Sequence, residues 1–133
     1  MGKEAGFRDL QVWQTGMKIA EAVYGATSAF PDSERFGMTN QMRRAAISIP
    51  SNIAEGWGRN TAAHLANFIK IARGSANELD TLVELAHRIG YLSDEQQASL
   101  DDHVQTFGRQ SHALLSSVQG RMVREIPTEY ATS

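Results

Sequence analysis

Basic side chains are concentrated in the middle of the chain, where they could bind phosphate groups. Residues 35–73 contain six basic residues and one acid, a net charge of +5, although the whole 133-residue chain has a net charge of −2. Phosphate binding needs several cations on one surface. The candidate residues for binding nucleic acid are Arg43, Arg44, Arg59, Lys70 and Arg73.

The residues around these cations indicate which kind of nucleic-acid contact to expect. Aromatic side chains are not interleaved with them as in a platform that stacks single-stranded bases, so recognition of backbone or shape is expected. Scattered arginines are also common on solvated surfaces, where they pair with neighbouring acids such as Glu55. A purely protein-docking surface is therefore the competing interpretation.

Two other spacings could support enzymatic or metal chemistry. Arg59 and His64 have the Arg-x4-His spacing of some all-helical ribonucleases, where such a pair acts on the scissile phosphate; the other interpretation is an exposed histidine in the first turn of a helix. Glu84 and His87 form one Glu-x-x-His pair, but a di-iron site in a helical bundle needs two pairs and two further glutamates. We therefore predict no metal site, no cofactor and no catalytic residue, with the ribonuclease as the alternative.

Composition narrows the class of protein. The chain has no cysteine, which excludes disulfides, thiolate nucleophiles and cysteine-ligated zinc. No run of 18 uncharged apolar residues is present, and the first ten residues lack the apolar region of a secretory signal, so we expect a cytoplasmic protein without membrane contact. The segment 93–133 has a net charge of −3, so a basic middle is followed by an acidic end.

Apolar residues recur at alternating steps of three and four in four segments, a spacing typical of helices that cross at shallow angles. The predicted core lines are Leu10, Trp13, Met17, Ala20, Tyr24 and Thr27 in the first helix; Met42, Ala46, Ile49 and Ile53 in the second; Leu65, Ile69, Ala72, Ala76, Leu79, Val83 and Ala86 in the third; and Leu100, Val104, Phe107, Ser111, Leu114 and Val118 in the fourth.

The residues between these segments predict where helices begin and end. Thr39 is expected to cap the second helix, Asn60 or Thr61 the third, and Ser93 with Gln96 forms a capping box for the fourth. Gly90 suits a helix C-terminus. Short connections make successive helices antiparallel, so the fold class is all-α, an antiparallel up-and-down four-helix bundle over residues 1–120 with a flexible tail over 121–133.

The second helix has a further apolar line beside its core line. Ile47, Pro50 and Ala54 follow one another at steps of three and four, one turn after Arg43. A helix that is apolar on two sides must be covered on two sides, and one four-helix bundle covers only one of them. We therefore predict that these three residues form an oligomer interface; the alternative is that Pro50 only kinks a core helix.

Three sequence blocks resemble a known family. FRDLQVWQ, FGMTNQMRRAAISIPSNIAEGWGR and NFIKIARGSANELDTLVELAHRIGYL together are similar to the 23S rRNA intervening-sequence proteins, a family of four-helix bundles. The resemblance covers residues 7–118, and its most specific parts are QMRRAA, SIPSNIAEG and IARGSANEL.

The resemblance implies an assembly and a set of partners. The family includes the accessory variability determinant of diversity-generating retroelements, a pentameric barrel whose basic surface binds nucleic acid and a reverse transcriptase. We accordingly expect a homo-oligomer, specifically a pentamer, with RNA or DNA and a protein partner such as a reverse transcriptase as its ligands. Members encoded within ribosomal RNA intervening sequences have no established biochemical activity, so the resemblance implies no reaction.

Overall fold

Four long helices make up the fold. The computed structural model describes residues 6–125, in which α1 spans Gln11–Thr27, α2 Met38–Gly58, α3 Ala62–Arg88 and α4 Asp94–Glu125, and no strand occurs in that range. Short 3₁₀ turns at Phe7–Asp9 and Asp32–Glu34 precede α1 and α2. The predicted all-α four-helix bundle is confirmed. Among these helices, none combines the length and the apolar character that crossing a bilayer requires.

Each helix contacts two others, which gives the bundle four corners. α1 packs against α2 and α4, and α3 packs against the same two helices. The predicted core lines of α2 and α3 are buried throughout, and that of α4 is buried except for Leu114, which is half-buried. Spacing located these three core lines correctly because each helix turns its most continuous apolar line inward.

The predicted core line of α1 is wrong. Met17 and Tyr24 are exposed, and Trp13 and Ala20 are only half-buried. The buried line instead consists of Val12, Thr15, Gly16, Ile19, Val23 and Ala26, ending at Thr27. The first helix therefore has two apolar lines at the same spacing, and spacing alone cannot say which of them faces the core.

Gly16 is the physical reason for the orientation of α1. A Cβ atom added at Gly16 would lie 3.2 Å from the Pro50 nitrogen and 3.2 Å from Cγ2 of Ile49. The missing side chain lets the backbone of α2 come this close, so α1 turns the side that carries Gly16 toward α2. α2 itself continues as a helix through Pro50.

Most of the predicted helix ends are confirmed. The Thr61 side chain accepts a hydrogen bond from the His64 backbone N–H at the start of α3. The Ser93 hydroxyl and the Gln96 side chain form the expected reciprocal capping box at the start of α4. Gly90 follows α3 with a φ of +89°, a conformation in which glycine avoids the strain of a side chain.

Two predicted boundaries differ from the structure. Thr39 does not cap α2, because the helix begins one residue before it; Gly37 is the N-cap residue, Thr39 is buried, and the Glu34 side chain accepts the hydrogen bond from the Met38 backbone N–H. α4 continues past Gly120 to Glu125. The rest of the predicted tail, residues 126–133, lies outside the described residues.

Candidate functional site

An apolar groove runs along the outside of the α1–α2 pair. Its volume is about 410 Å³. The three residues predicted to form an oligomer interface all line it, and Ile47 leaves 43% of its surface exposed whereas Pro50 forms part of the buried floor. The complete lining of this groove, called the apolar groove below, is Phe7, Arg8, Trp13, Met17, Ala20, Ile47, Pro50, Ser51 and Ala54.

Sequence analysis placed one wall of this groove in the core. Trp13, Met17 and Ala20 belong to the line that was predicted to be buried, and they instead face Ile47 and its neighbours from α1. Phe7 supports this wall, since its ring packs edge-on against Trp13 with 5.5 Å between the centroids. The sequence did contain a signal for this outcome, since α1 has a second apolar line, which contains Gly16 and Ile19. Burial of that line leaves Trp13, Met17 and Ala20 outside the core.

Arg43 is fixed near the same side of the bundle by contacts with α1. Its guanidinium group lies 4.4 Å from the centre of the Tyr24 ring, and its Nε donates a hydrogen bond of 2.9 Å to the Thr27 hydroxyl. The hydroxyl in turn donates to the Val23 carbonyl at 2.7 Å. The half-buried Arg43 therefore ties α2 to α1, and these contacts limit its reach toward a ligand.

Arg44 and Lys70 are the predicted cations that remain free. Both side chains are exposed, and neither forms an ion pair with another side chain of residues 6–122. Arg44 lines a polar groove between α2 and α3. The hydroxyls of Ser48 and Ser75 form a hydrogen bond of 2.7 Å across this groove. These two cations can reach a phosphate group without breaking a contact within the protein.

Arg59 and His64 lie where α2 ends and α3 begins, but each has another partner. Arg59 forms an ion pair of 2.9 Å with Glu55, and His64 Nδ1 is 2.6 Å from the Thr61 hydroxyl. The Arg59 guanidinium also lies 5.4 Å from the centre of the Phe68 ring. The two residues of the Arg-x4-His spacing therefore each contact a residue close in sequence, Arg59 at the end of α2 and His64 at the start of α3.

Arg73 lies on the other side of α3, facing α4. One of its guanidinium nitrogens donates to the Gly108 carbonyl at 2.9 Å and to the buried Ser111 hydroxyl at 2.6 Å. Arg43, Arg44 and Arg73 thus occupy three different interhelical contacts. The structure does not gather the five predicted cations into one patch, because successive helical residues point about 100° apart.

Removing the Arg73 side chain is expected to destabilise the fold. Arg73→Ala should lower the free energy of unfolding by about 1–2 kcal/mol, since it removes two charge-assisted hydrogen bonds between α3 and α4. Arg109→Ala is the matched control, because Arg109 is exposed and its one hydrogen bond, to Thr106, is 3.3 Å long. Urea unfolding at one protein concentration compares them; equal stability of the two variants would contradict this role for Arg73.

Acidic residues surround the contact between α3 and α4. Asp80 lines a small cavity there together with Arg73, and burial raises the pKa of the Asp80 carboxyl, with the nearby charges of Asp101 and Glu84 adding to the effect. The grouping of Asp80, Asp101 and Glu84, rather than the pKa shift itself, makes this side of the bundle a poor surface for a polyanion.

The Glu-x-x-His pair is divided between two local contacts. Glu84 accepts hydrogen bonds from Arg88 and Gln97, which hold the pKa of its carboxyl below the usual value, with the Arg88 hydrogen bond as the main cause. His87 Nε2 lies 2.7 Å from Asp94. Among the side chains of residues 6–122, no three His, Asp or Glu are grouped so that they could hold a metal ion.

A second line of mostly apolar side chains lies along α3 beside its core line and ends at the C-cap residue Ile89. Its members follow one another at steps of three and four, and four of them are exposed: Glu78 and the apolar residues Ile71 (43%), Leu85 (45%) and Ile89 (48%). The complete line, called the α3 stripe below, is Ile71, Ser75, Glu78, Leu82, Leu85 and Ile89. Sequence analysis missed it, although its spacing is the same as that of the core line.

Comparison with known proteins supports the resemblance. Residues 8–113 match the family model described as 23S rRNA-intervening sequence protein. The fold is also similar to the crystal structure of a protein of unknown function from the S23 ribosomal protein family of Bacteroides thetaiotaomicron, with a TM-score of 0.72 and 24% identity over 79% of this chain and 95% of that one. No match was found among curated proteins.

Proposed function

This chain belongs to the family of 23S rRNA-intervening sequence proteins, and we propose on that premise that it is a non-enzymatic scaffold, a homo-oligomer that binds nucleic acid. The observation that carries the proposal is the apolar groove, because the residues predicted to form an interface line it together with Trp13 and Met17. A single bundle leaves this groove open to solvent. Covering it is favourable at about 25 cal/mol for each Å² of apolar surface buried.

Assembly explains how a chain of slightly negative net charge could bind a polyanion. Arg44 and Lys70 are exposed and unpaired, and a symmetric assembly would present one such pair for each copy of the chain. A pentamer, the size implied by the resemblance to the accessory variability determinant, would present five pairs. Repeated weak phosphate contacts along one strand add up to a useful affinity.

The proposed binding is tolerant of sequence. Proteins recognise base sequence with side chains that enter a groove of the nucleic acid or stack on its bases. Arg44 and Lys70 are instead exposed cations on long flexible side chains, which suits them to contacts with phosphates. Arg59 can join them only by leaving Glu55, and Arg43 and Arg73 are held by interhelical hydrogen bonds. We therefore assign the main part of the binding to Arg44 and Lys70, with a smaller contribution from Arg59.

The test is a titration of labelled single-stranded and double-stranded RNA and DNA at low and moderate salt. Wild-type protein should bind all of them weakly, and the affinity should fall steeply with salt because each phosphate contact releases counterions. Replacing Arg44 and Lys70 together with alanine should weaken binding at low salt by about tenfold or more and flatten the salt dependence.

Two controls make this result specific. Arg109→Ala removes one positive charge from the acidic half of the chain and should leave binding unchanged, and the strand should stay intact throughout. No binding by the wild type at low salt would leave a scaffold that docks only proteins, such as a reverse transcriptase. Strand cleavage that His64→Ala abolishes would establish the ribonuclease alternative instead.

A further inference from the structure

The polar groove between α2 and α3 contains an unpaired carboxylate as well as an unpaired cation. Arg44 lines it from α2, and Glu78, one of the two polar residues of the α3 stripe, lines it from α3. The groove has a volume of about 480 Å³, within the usual range for ligand sites. Its complete lining is Gln41, Arg44, Ala45, Ser48, Ser75 and Glu78. All of these residues belong to QMRRAA, SIPSNIAEG or IARGSANEL, the most specific parts of the family resemblance.

The two charged residues lie at the same end of the polar groove. A hydrogen bond of 2.7 Å joins the hydroxyls of Ser48 and Ser75. Arg44 precedes Ser48 on α2 by about one helical turn, and Glu78 follows Ser75 on α3 by about the same distance. Because α2 and α3 run antiparallel in the bundle, these two steps lead in the same direction. Arg44 and Glu78 nevertheless form no ion pair with each other or with any other side chain that the structure describes, so both are available to one ligand.

A carboxylate in this position is unfavourable for a ligand that offers only phosphate groups. A phosphate bound by Arg44 in this groove comes close to the Glu78 carboxylate, and the two negative groups repel each other. The Glu78 side chain has no hydrogen-bond partner among the described residues, and an ionised carboxylate accepts hydrogen bonds but donates none. The groove therefore suits a ligand in which a hydroxyl donor lies beside the phosphate.

We propose that the nucleic acid bound by this protein is RNA, and that Glu78 distinguishes it from DNA by accepting a hydrogen bond from a ribose 2′-hydroxyl. This inference rests on the proposed binding of nucleic acid and names its chemical class. Every sugar of an RNA strand carries a 2′-hydroxyl between phosphates, whereas the DNA sugar has no donor at that position. Acidic side chains bind ribose hydroxyls in the same way in dinucleotide-binding folds. Arg44 thus holds the phosphate and Glu78 holds the sugar.

Glu78 has different effects on the two nucleic acids. With DNA its carboxylate only repels the phosphates, whereas with RNA the repulsion is offset by a charge-assisted hydrogen bond. Removing the charge should therefore tighten the binding of DNA and should not tighten that of RNA to the same extent. A carboxylate that served only to repel polyanions, or to pair with Arg44, would change both affinities by the same factor. The ratio of the two dissociation constants therefore isolates the hydrogen bond to the sugar.

The test compares three single strands of equal length at one low salt concentration, all with uracil as their only base. The first contains ribose, the second 2′-deoxyribose, and the third a 2′-fluoro sugar, whose fluorine cannot donate a hydrogen bond. Wild-type protein should bind the ribose strand about fivefold more tightly than either of the others, the effect of one hydrogen bond. Glu78→Gln keeps the size of the side chain and should bring the three dissociation constants to within about twofold of one another.

Two control variants show whether the preference belongs to the polar groove. Glu21→Gln removes the same charge from an exposed position on α1 and should leave the preference for the ribose strand unchanged. Arg44→Ala should weaken the binding of all three strands. In the Arg44→Ala background, Glu78→Gln should no longer change the ratio of the dissociation constants, because the two side chains act on one nucleotide.

The possible outcomes separate this inference from the proposed function. Wild-type protein that binds none of the strands at low salt would refute the binding of nucleic acid. Equal affinity for the ribose and deoxyribose strands would refute the preference for RNA and leave nucleic-acid binding in place. Glu78→Gln that tightens all three strands by the same factor, or a fluoro strand bound as tightly as the ribose strand by the wild type, would show that Glu78 accepts no hydrogen bond from the sugar.

Discussion

Gly56→Val should lower the free energy of unfolding by about 3 kcal/mol, at the upper end of the usual cost of overpacking a core. A Cβ atom added at Gly56 would lie 2.6 Å from the Phe68 Cβ and 3.3 Å from Cδ1 of Leu65. Because the Phe68 Cβ is attached directly to the backbone of α3, rotating a side chain cannot relieve this contact. The two helices must move apart, and the apolar contacts near that end of the α2–α3 pair weaken with them.

Gly74→Val is the matched control for this substitution. Gly74 lies in the exposed part of α3, and a Cβ atom added there meets nothing within 4 Å. Because valine and glycine differ by only a few tenths of a kcal/mol in helix propensity, the stability of this variant should change by less than about 0.5 kcal/mol. Chemical denaturation of both variants at one protomer concentration measures the difference; a Gly56 variant as stable as the Gly74 variant would contradict the close approach of α2 and α3.

The sequence predicted the bundle because three of its helices have one dominant apolar line each. In α3, the apolar residues from Leu65 to Ala86 repeat so regularly that one helix face must be buried. α1 has two lines of equal regularity, and the choice between them depends on Gly16, whose role appears only when Pro50 of another helix is placed beside it. Spacing predicts which residues share a face; contact between helices decides which face is inside.

Helix boundaries were predicted where the signal was local. Thr61 and Ser93 cap helices through residues three positions away, so sequence contains the whole motif. At the start of α2 the polar cap comes from Glu34, which belongs to the preceding 3₁₀ turn, and Thr39 is a good cap by type but lies inside the helix. At the start of α2, residue type alone therefore did not identify the N-cap, because the geometry of the turn before the helix was also needed.

The candidate interface residues share one surface in the structure, whereas the candidate cations do not. Ile47, Pro50 and Ala54 were identified by spacing along one helix, which guarantees a shared face, and the structure places them in one groove. The cations were grouped by their position in a charged segment, which guarantees nothing about a surface. Neighbouring residues Arg43 and Arg44 accordingly face different helices.

Phe107→Ala is expected to have the largest effect of all the substitutions, a loss of about 3–5 kcal/mol in the free energy of unfolding. Phe107 is completely buried, and it is among the largest side chains of the core. It also borders the small cavity beside Arg73, so truncation enlarges a space that is already incompletely filled. The neighbouring helices cannot collapse into it freely, because Arg73 holds α3 to the backbone of α4 at Gly108.

Phe36→Ala makes the same chemical change at a surface position and is the control. The Phe36 side chain is 82% exposed and contacts the Arg35 guanidinium, so its removal should change stability by no more than about 0.5 kcal/mol. Both variants should be compared with wild type at one protomer concentration, since assembly adds to apparent stability. A domain of this size has only about 5–15 kcal/mol of stability in total, so Phe107→Ala should shift the urea midpoint strongly. A shift as small as that of Phe36→Ala would mean that the α3–α4 contact is not part of the core.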